Sequence, residues 1–570
     1  MLSSGNLGVG IGLDVLWRLN AAAVNYATTW SFAAYAQANG GALPGPWADV
    51  RRTGTATYEN ASGVITTLPD LGGGTYAARV QYRSGTARGL LIEGQATQLS
   101  GYTGAFDNAA WGKSGGASIT ANAVAGPGGS TTADLLTATG ATSILYQTFA
   151  GAGTYSLQIK FKANATQQVC IDMSIGGNGR IATFNTNGSA SVAAKGTGAG
   201  ASGGTASVVA VAGGWYLAKF EGLVTSTGLY AIVSLPAAGS VYIDEWQLEA
   251  GSVCTSYIPN ASSGSVVRKG DFEGVFLTST ALSAAFPGGV GQPWTTVFSY
   301  IKGYSVSSDE TLFALSAGSS AGSTNLLALQ TNGTQAQAVH SGGSGTLSGT
   351  LVHDGSTVNK IALSVDPTYR GAELVVGGNF DSLPTGMTAI TTTQLISGGV
   401  GRYTTTDTTG YRGARLTKSG VVVGKTYIAT ARLRIASGTS TVNMGFVGGS
   451  RTTAVSSSSF VEQSISFVAN GTTIYLDILF NGGGAPNAIG DAFEVDDISI
   501  KETGKVSVSV NGAASVETTG IAFTGSGTTH LIPGARTTGG STPVLGMEIY
   551  DWRNVNTSYT TGASLQALSA

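Results

Sequence analysis

In TYSLQIKFKA (Thr154–Ala163), apolar Tyr155, Leu157, Ile159 and Phe161 alternate with Ser156, Gln158, Lys160 and Lys162. A period of two puts the two sets on opposite faces of an extended chain, one against a core and one in water. The same alternation returns in TYIATARLRIA (Thr426–Ala436), and further strands are expected at GGWYLAKFEG, LYAIVSL, NKIALSV, TIYLDILF and KVSVSVNG. Helical spacing is confined to Ala21–Ala38 and the terminal ASLQAL. The chain holds 86 glycines without a triplet repeat and is 42% hydrophobic against 11% charged. Glycine therefore reads as turn punctuation in an all-β protein, not as collagen or a disordered linker.

Charge removes several classes of function. The net charge is −2 with no basic run interleaved by aromatics, so no nucleic acid is expected as a main ligand. No uninterrupted apolar stretch reaches the ~18 residues of a membrane span. MLSSGNLGVGIGLDVLWRLN has no cation before Arg18 and makes a poor export signal, so delivery by assembly or after lysis is expected. Cys170 and Cys254 are read as buried free thiols, with one disulfide as the alternative.

The chain writes one pattern twice. AFDNAAW (Ala105–Trp111) leads through TYSLQIKFKA and GGWYLAKFEG to VYIDEWQLE, and NFDSLPTG (Asn379–Gly386) leads through TYIATARLRIA and TIYLDILF to FEVDDISIKE. Each copy opens with Phe-Asp and closes on an apolar strand carrying carboxylates, a length and spacing that suit a β-sandwich or jelly roll.

LLIEGQATQL, FDNAAWGK, SITANAVAGPGGSTTADLL and YIDEWQLEAGSVCTSYIP resemble a module of bacteriophage tail and virion proteins. That module begins as a carbohydrate-binding-module-like jelly roll and ends in Q-L-E-x-G-x-x-x-T-S-Y-I-P, matched here from Gln247 to Pro259. The second copy resembles carbohydrate-binding modules more loosely. PWTTVFSYIKG, TLFALSAG, NKIALSVD, VSVSVNGAASVETTG and MEIYDWRN resemble a laminin-G or concanavalin-like sandwich. In that fold NKIALSVD is followed almost at once by a strand like KVSVSVNG, but here Tyr369–Gly504 stand between them. The expected architecture is thus tandem jelly-roll sandwiches, one inserted in another. Residues 1–95 form an extended virion-anchoring arm, 96–262 and 369–504 the carbohydrate-binding-module-like jelly rolls, and 263–368 with 505–570 the split sandwich.

Candidate residues follow from chemistry. Asp244 shares a strand face with Trp246 and Leu248, and Asp496 with Ile498 and Ile500, so both carboxylates point inward and need partners. The resemblance implies a structural calcium there, to which Asp107 and Asp381 would contribute; turn amides are the alternative partners. Sugars stack on exposed aromatics beside polar side chains, which selects Tyr403 and Tyr411 with Arg402 and Arg412, and Trp552. Trp17, Trp30, Phe32, Tyr35 and Trp47 make an oily leading segment suited to docking on other virion proteins. Only three histidines are present, and neither a nucleophile elbow nor a metalloprotease motif is found, so no enzyme is expected. The implied role is a virion protein released on lysis, a homo-oligomeric (trimeric by analogy) tail fibre or adhesin contacting host surface polysaccharide. Capsid decoration, a head fibre and a polysaccharide-degrading tailspike are the alternatives.

Overall fold

The computed structural model describes residues 28–30, 32–38, 52–53, 56–62, 64–68, 75–76, 79–83, 85–175, 177–197, 201–224, 228–268, 270–271, 282, 286, 288–303, 309–316, 327–332, 335–340, 343–346, 350–521, 523, 530–533, 546–555 and 562–570. The protein is all-β, and its described residues form three large apolar cores, each enclosed between two sheets.

The first repeat packs a six-stranded sheet on a larger one. The smaller runs, in order, Gly112–Ser114, Ile144–Phe149, Leu229–Ser234, Gln168–Ile175, Asn178–Asn185 and Ala190–Lys195. The larger runs Ser118–Ala125, Thr131–Ala138, Gly239–Ala250, Gly153–Ala163, Tyr216–Val224 and Ala201–Ala210. Leu157, Ile159 and Phe161 are fully buried, as their alternation requires, but Ser156, Gln158 and Lys160 on the face expected in water are buried as well, covered by neighbouring segments of the chain. Trp246 meets Trp111 edge-on at 5.6 Å, and its indole N–H donates to Ser100 Oγ at 2.8 Å, so the buried ring keeps its one polar bond.

The second repeat keeps this order but ends its larger sheet one strand earlier, without a counterpart of Ala201–Ala210. Met387–Ile390, Gly413–Ser419, Thr473–Phe480 and Val442–Phe446 form one sheet. Thr392–Ser397, Val400–Thr405, Ala492–Val510, Thr426–Ser437 and Val461–Val468 form the other. It has no counterpart of the hairpin Asn178–Lys195. In both closing strands a carboxylate accepts the next residue's amide at 2.8 Å, Asp244 from Glu245 and Asp496 from Asp497. That next residue is left-handed in each, with φ 52° and 50°, so the same bulge was written twice. In the second repeat the opening turn touches the closing strand through Gly378, whose carbonyl accepts Ile498 N–H at 2.9 Å. A Cβ at Gly378 would lie 1.9 Å from Ile498 O. Gly378→Ala is therefore expected to destabilise the second repeat by about 1–3 kcal/mol, read as a lowered calorimetric transition.

The third core joins Trp294–Ile301, Asn359–Glu373 and Gly546–Val555 in one sheet to Asp309–Ser316, Leu327–Asn332 and their neighbours in another. Strands Asn359–Glu373 and Ala492–Val510 pair antiparallel from Ile361↔Val510 to Glu373↔Lys501, and the second repeat lies between them in the chain. The 19-residue strand thus serves two cores, and one sheet runs unbroken through both.

The expectation of an arm over residues 1–95 is corrected where those residues are described. Thr86–Glu93 pairs with Gly546–Val555 and with Arg79–Arg83, placing Val80, Tyr82, Leu90 and Ile92 in the third core. Thr28–Trp30 pairs with Trp552–Asn554 farther along the same edge of Gly546–Val555, opposite Trp294–Ile301. Helix Phe32–Ala38 then covers the sheet, its Ala36 carbonyl accepting from Tyr82 Oη at 3.1 Å. An open strand edge and an apolar face were both satisfied from within the chain. Trp17 and Trp47 lie outside the described residues, and of Trp30, Phe32 and Tyr35 only the backbone lies within them. Of the helical spacing over Ala21–Ala38, Phe32–Ala38 is a helix and Thr28–Trp30 a strand, while residues 21–27 lie outside the described residues. At the C-terminus, ASLQAL lies in helix Gly562–Ser569.

The Gln247–Pro259 run is a knot between the first repeat and the third sandwich. Ile258 N donates to Gln247 Oε1 at 2.5 Å, and Thr255 Oγ1 to Glu249 at 2.7 Å, folding the tail back on its own strand. Ser256 N and Oγ reach Glu93 at 2.7 and 2.6 Å. Glu93 in turn pairs with Arg79 at 2.7 Å and Arg268 at 3.1 Å, while Arg79 also holds Asp271, all buried. Burial opposes charge on Glu93, yet Arg268 and Arg79 hold it down at about 2. The two cysteines are separate buried thiols; burial pushes Cys254 up to about 12.

Two matching sheet faces as the candidate site

Pairing registers align the smaller sheets of the two repeats. Thr148↔Tyr230↔Ser174 in the first corresponds to Thr417↔Tyr475 in the second. One row along, Tyr146↔Ile232↔Asp172 corresponds to Arg415↔Asp477↔Gly445. All these residues alternate with core residues, so they stand on the face turned away from the core.

Each face carries an exposed tyrosine at the same register position: Tyr230 is 38% exposed and Tyr475 43%. Each also carries a buried carboxylate in the adjoining row, held by a cation. In the first repeat this is Asp172, bonded by Lys195 from the hairpin the second repeat lacks. Burial raises the Asp172 carboxyl, and Lys195 opposes that. Tyr146 lies beside Tyr230, ring centroids 5.6 Å apart.

In the second repeat, Arg415 grips Asp477 with two bonds of 2.6 and 2.9 Å, which raises the guanidinium pKa. The same guanidinium lies 5.3 Å from the centre of the Tyr475 ring. Beyond Asp477 in the row is Gly445, and across it Arg451 from the following loop. A Cβ at Gly445 would fall 2.6 Å from Arg451 Cγ, so the glycine makes room for that side chain to lie on the sheet. Asn443 flanks this row, its Oδ1 buried without a hydrogen-bond partner. At the far end Tyr411, 62% exposed, packs over Gly483 beside Leu479. From Tyr475 to Leu479 is four residues of strand, roughly 13 Å at the usual rise. The result is a polar floor between two exposed aromatic rings.

The residues selected from sequence divide sharply. Tyr411 belongs to this face. Tyr403 and Trp552 do not: both are fully buried, Tyr403 stacked on Phe493 and Trp552 packed against Phe298 and Phe313. Arg402 and Tyr411 stand close in sequence, but Val400–Thr405 and Gly413–Ser419 belong to opposite sheets, so the segment between crosses the sandwich edge. Arg402 pairs with Glu494 on the other outer face, and Arg412 is buried against Asp407. Lys195, Arg415, Asn443, Arg451, Tyr475 and Asp477 escaped the sequence reading. The one available signal was polar residues at outward positions of otherwise apolar strands.

The calcium expectation does not assemble. Asp244 accepts from Thr132 Oγ1 at 3.0 Å and from its neighbour's amide, and Asp496 is bonded by Arg432. Asp107 and Asp381 are exposed. Among the described residues no three His, Cys, Asp or Glu side chains come together to hold a metal ion. In the second repeat Gly401 occupies the register position of Asp134, and the Phe380 ring closes over it.

Two adjoining hollows of about 450 and 260 Å³ separate the first repeat from the third sandwich. Their charged walls are largely engaged: Arg88 with Glu548, Lys160 with Glu245, and Lys219 with the Cys254 carbonyl. Among the described residues no helix is long and apolar enough to cross a membrane.

Fold and faces define a β-sandwich protein with twin repeats, each presenting an aromatic and charged sheet. No protein-family model and no curated protein matches the sequence. Among solved structures, the N-terminal CBM22-1–CBM22-2 tandem domain of Paenibacillus barcinonensis Xyn10C is 10% identical, covers 72% of this chain and 98% of its own, and has a TM-score of 0.18. An anti-sigma factor domain-containing protein is 8% identical over 75% of this chain and 98% of its own, with a TM-score of 0.10. Overlaps this low carry no argument about ligand or ancestry.

Proposed function

We propose that the chain is a non-catalytic glycan-binding protein whose two repeats contact polysaccharide through their smaller sheets. One observation carries this reading: an exposed tyrosine recurs at the same register position on this face of both repeats, with a cation-held carboxylate in the adjoining row, placed on neighbouring strands in the two. A tyrosine ring offers its face to sugar C–H groups, and fixed charged groups beside it bond the hydroxyls. Neither feature is needed for the core, which lies on the other side of the sheet. Two faces in one chain add avidity when both reach the same polymer.

The Gln247–Pro259 run and its flanking segments support a setting on a bacteriophage particle, as a tail fibre or adhesin assembled with other virion proteins. There the faces would meet host surface polysaccharide. Capsid decoration is the second reading, supported by the same resemblance.

Tyr475→Ala, Tyr411→Ala and Tyr230→Ala are the direct test, measured by affinity electrophoresis through host polysaccharide. Each is expected to weaken retardation about tenfold, equivalent to about 1.4 kcal/mol. Unchanged retardation in all three, with unchanged melting, defeats the glycan reading.

A further inference from the structure

The two faces differ in charge, and the difference selects between ligands. On the first, Asp172 is matched by Lys195 alone. On the second, two guanidinium groups, Arg415 and Arg451, share a row with the single carboxylate of Asp477. Asp477 is already occupied on both oxygens by Arg415. Arg451 Nη1 is buried yet has no hydrogen-bond partner. A buried donor on a charged group, left unpaired, loses hydration without compensation, an arrangement that persists when a ligand completes it.

We propose that the second repeat's face binds a carboxylated sugar, a uronic acid within a glycan chain, and that Arg451 receives its carboxylate. This rests on the glycan reading above and names the substrate class of that site. The planar fork of a guanidinium accepts a carboxylate through two parallel bonds, which a hydroxyl cannot reproduce. Gly445 lets the Arg451 side chain lie on the sheet beside Asp477, so the acid group meets Arg451 next to the Arg415–Asp477 pair while the ring lies toward Tyr475. The first repeat has Asp172 at the position of Gly445, and a carboxylate there repels an acidic sugar. The two faces therefore read different residues of a mixed polymer, one neutral and one acidic.

The test uses the full chain, a glucuronate-containing oligosaccharide and its methyl ester, which keeps the sugar and removes the charge. Calorimetric titration is expected to show the acid bound at least tenfold more tightly than the ester, with an advantage that shrinks as salt rises. Arg451→Gln is expected to bring acid affinity down to that of the ester, and Arg451→Lys to restore part of it. Equal affinity of the parent chain for acid and ester overturns the acidic-sugar assignment while leaving the glycan reading standing. Binding of neither compound, with no effect of Tyr475→Ala on polysaccharide retardation, overturns both. Because the acid–ester comparison is made on the parent chain, a poorly folded Arg451 variant does not protect the proposal.

Discussion

Replacing Arg79 by methionine is expected to destabilise the unit joining the first repeat and third sandwich by about 3–5 kcal/mol. Arg79 is 1% exposed and binds Glu93, Asp271, the Thr57 carbonyl at 2.9 Å and Ser256 Oγ at 2.8 Å. Truncating it leaves two buried carboxylates facing each other with Arg268 as the remaining cation beside Glu93. Removing one member of such a network is expensive because the survivors keep their desolvation and lose their partner. Scanning calorimetry of the full chain should show the corresponding transition lowered, with the second repeat's transition unmoved. Arg432→Met supplies the contrast, since the Arg432 side chain is 46% exposed and its partner Asp497 56%. It should leave the melting transition essentially in place. An Arg79→Met chain as stable as the parent would mean that the knot does not hold the two bodies together.

The second large effect is a loss of stability on going from mildly acid to neutral pH. Burial pushes Glu249 up to about 7 and Asp244 up to about 6, the latter helped by neighbouring Glu245. A carboxyl that holds its proton more tightly when folded favours the folded state below the unfolded pKa. That contribution is lost as pH rises through the folded value. For Glu249 the window runs from about 4.5 to about 7, and for Asp244 from about 3.8 to about 6. Each pKa unit is worth about 1.4 kcal/mol, so Glu249 alone contributes on the order of 3 kcal/mol at most. Glu93 has the opposite sign, being held at about 2, so its contribution is lost only as pH falls below about 4.5. Together they place greatest stability of this unit at about pH 4, where Glu93's gain balances the losses that begin at Asp244 and Glu249. Glu249→Gln keeps the shape, removes the titration and should flatten the decline between pH 5 and 8. An unaltered pH profile in that variant would rule Glu249 out as its source.

How much of this could be read beforehand depends on whether the signal was local. Strand Gly153–Ala163 was legible because its alternation is a property of neighbouring residues, and the duplicated closing strand was legible as VYIDEW and FEVDDI, while its bulge was not. Tyr403 was misplaced for the converse reason: RYTTTD looks like a polar loop, but its tyrosine alternates inward on a strand and closes a core. Trp552 failed likewise, since an aromatic near the chain end looks exposed until Phe298 and Phe313 are brought against it. The face built from Arg415, Asn443, Arg451 and Asp477 was illegible, because its members become neighbours only through cross-strand register.

By itself, the sequence determined that the chain would form strands and that one sandwich pattern would occur twice, since side-chain period and turn glycines act over a few residues. Only the tertiary structure decided which strands share a sheet. It sent Thr86–Glu93 to a partner strand near the C-terminus and turned one tyrosine into core and another into surface. Hydrogen-bonded edges and apolar faces are satisfied by whichever segment fits, at any distance along the chain, and no local pattern encodes that choice.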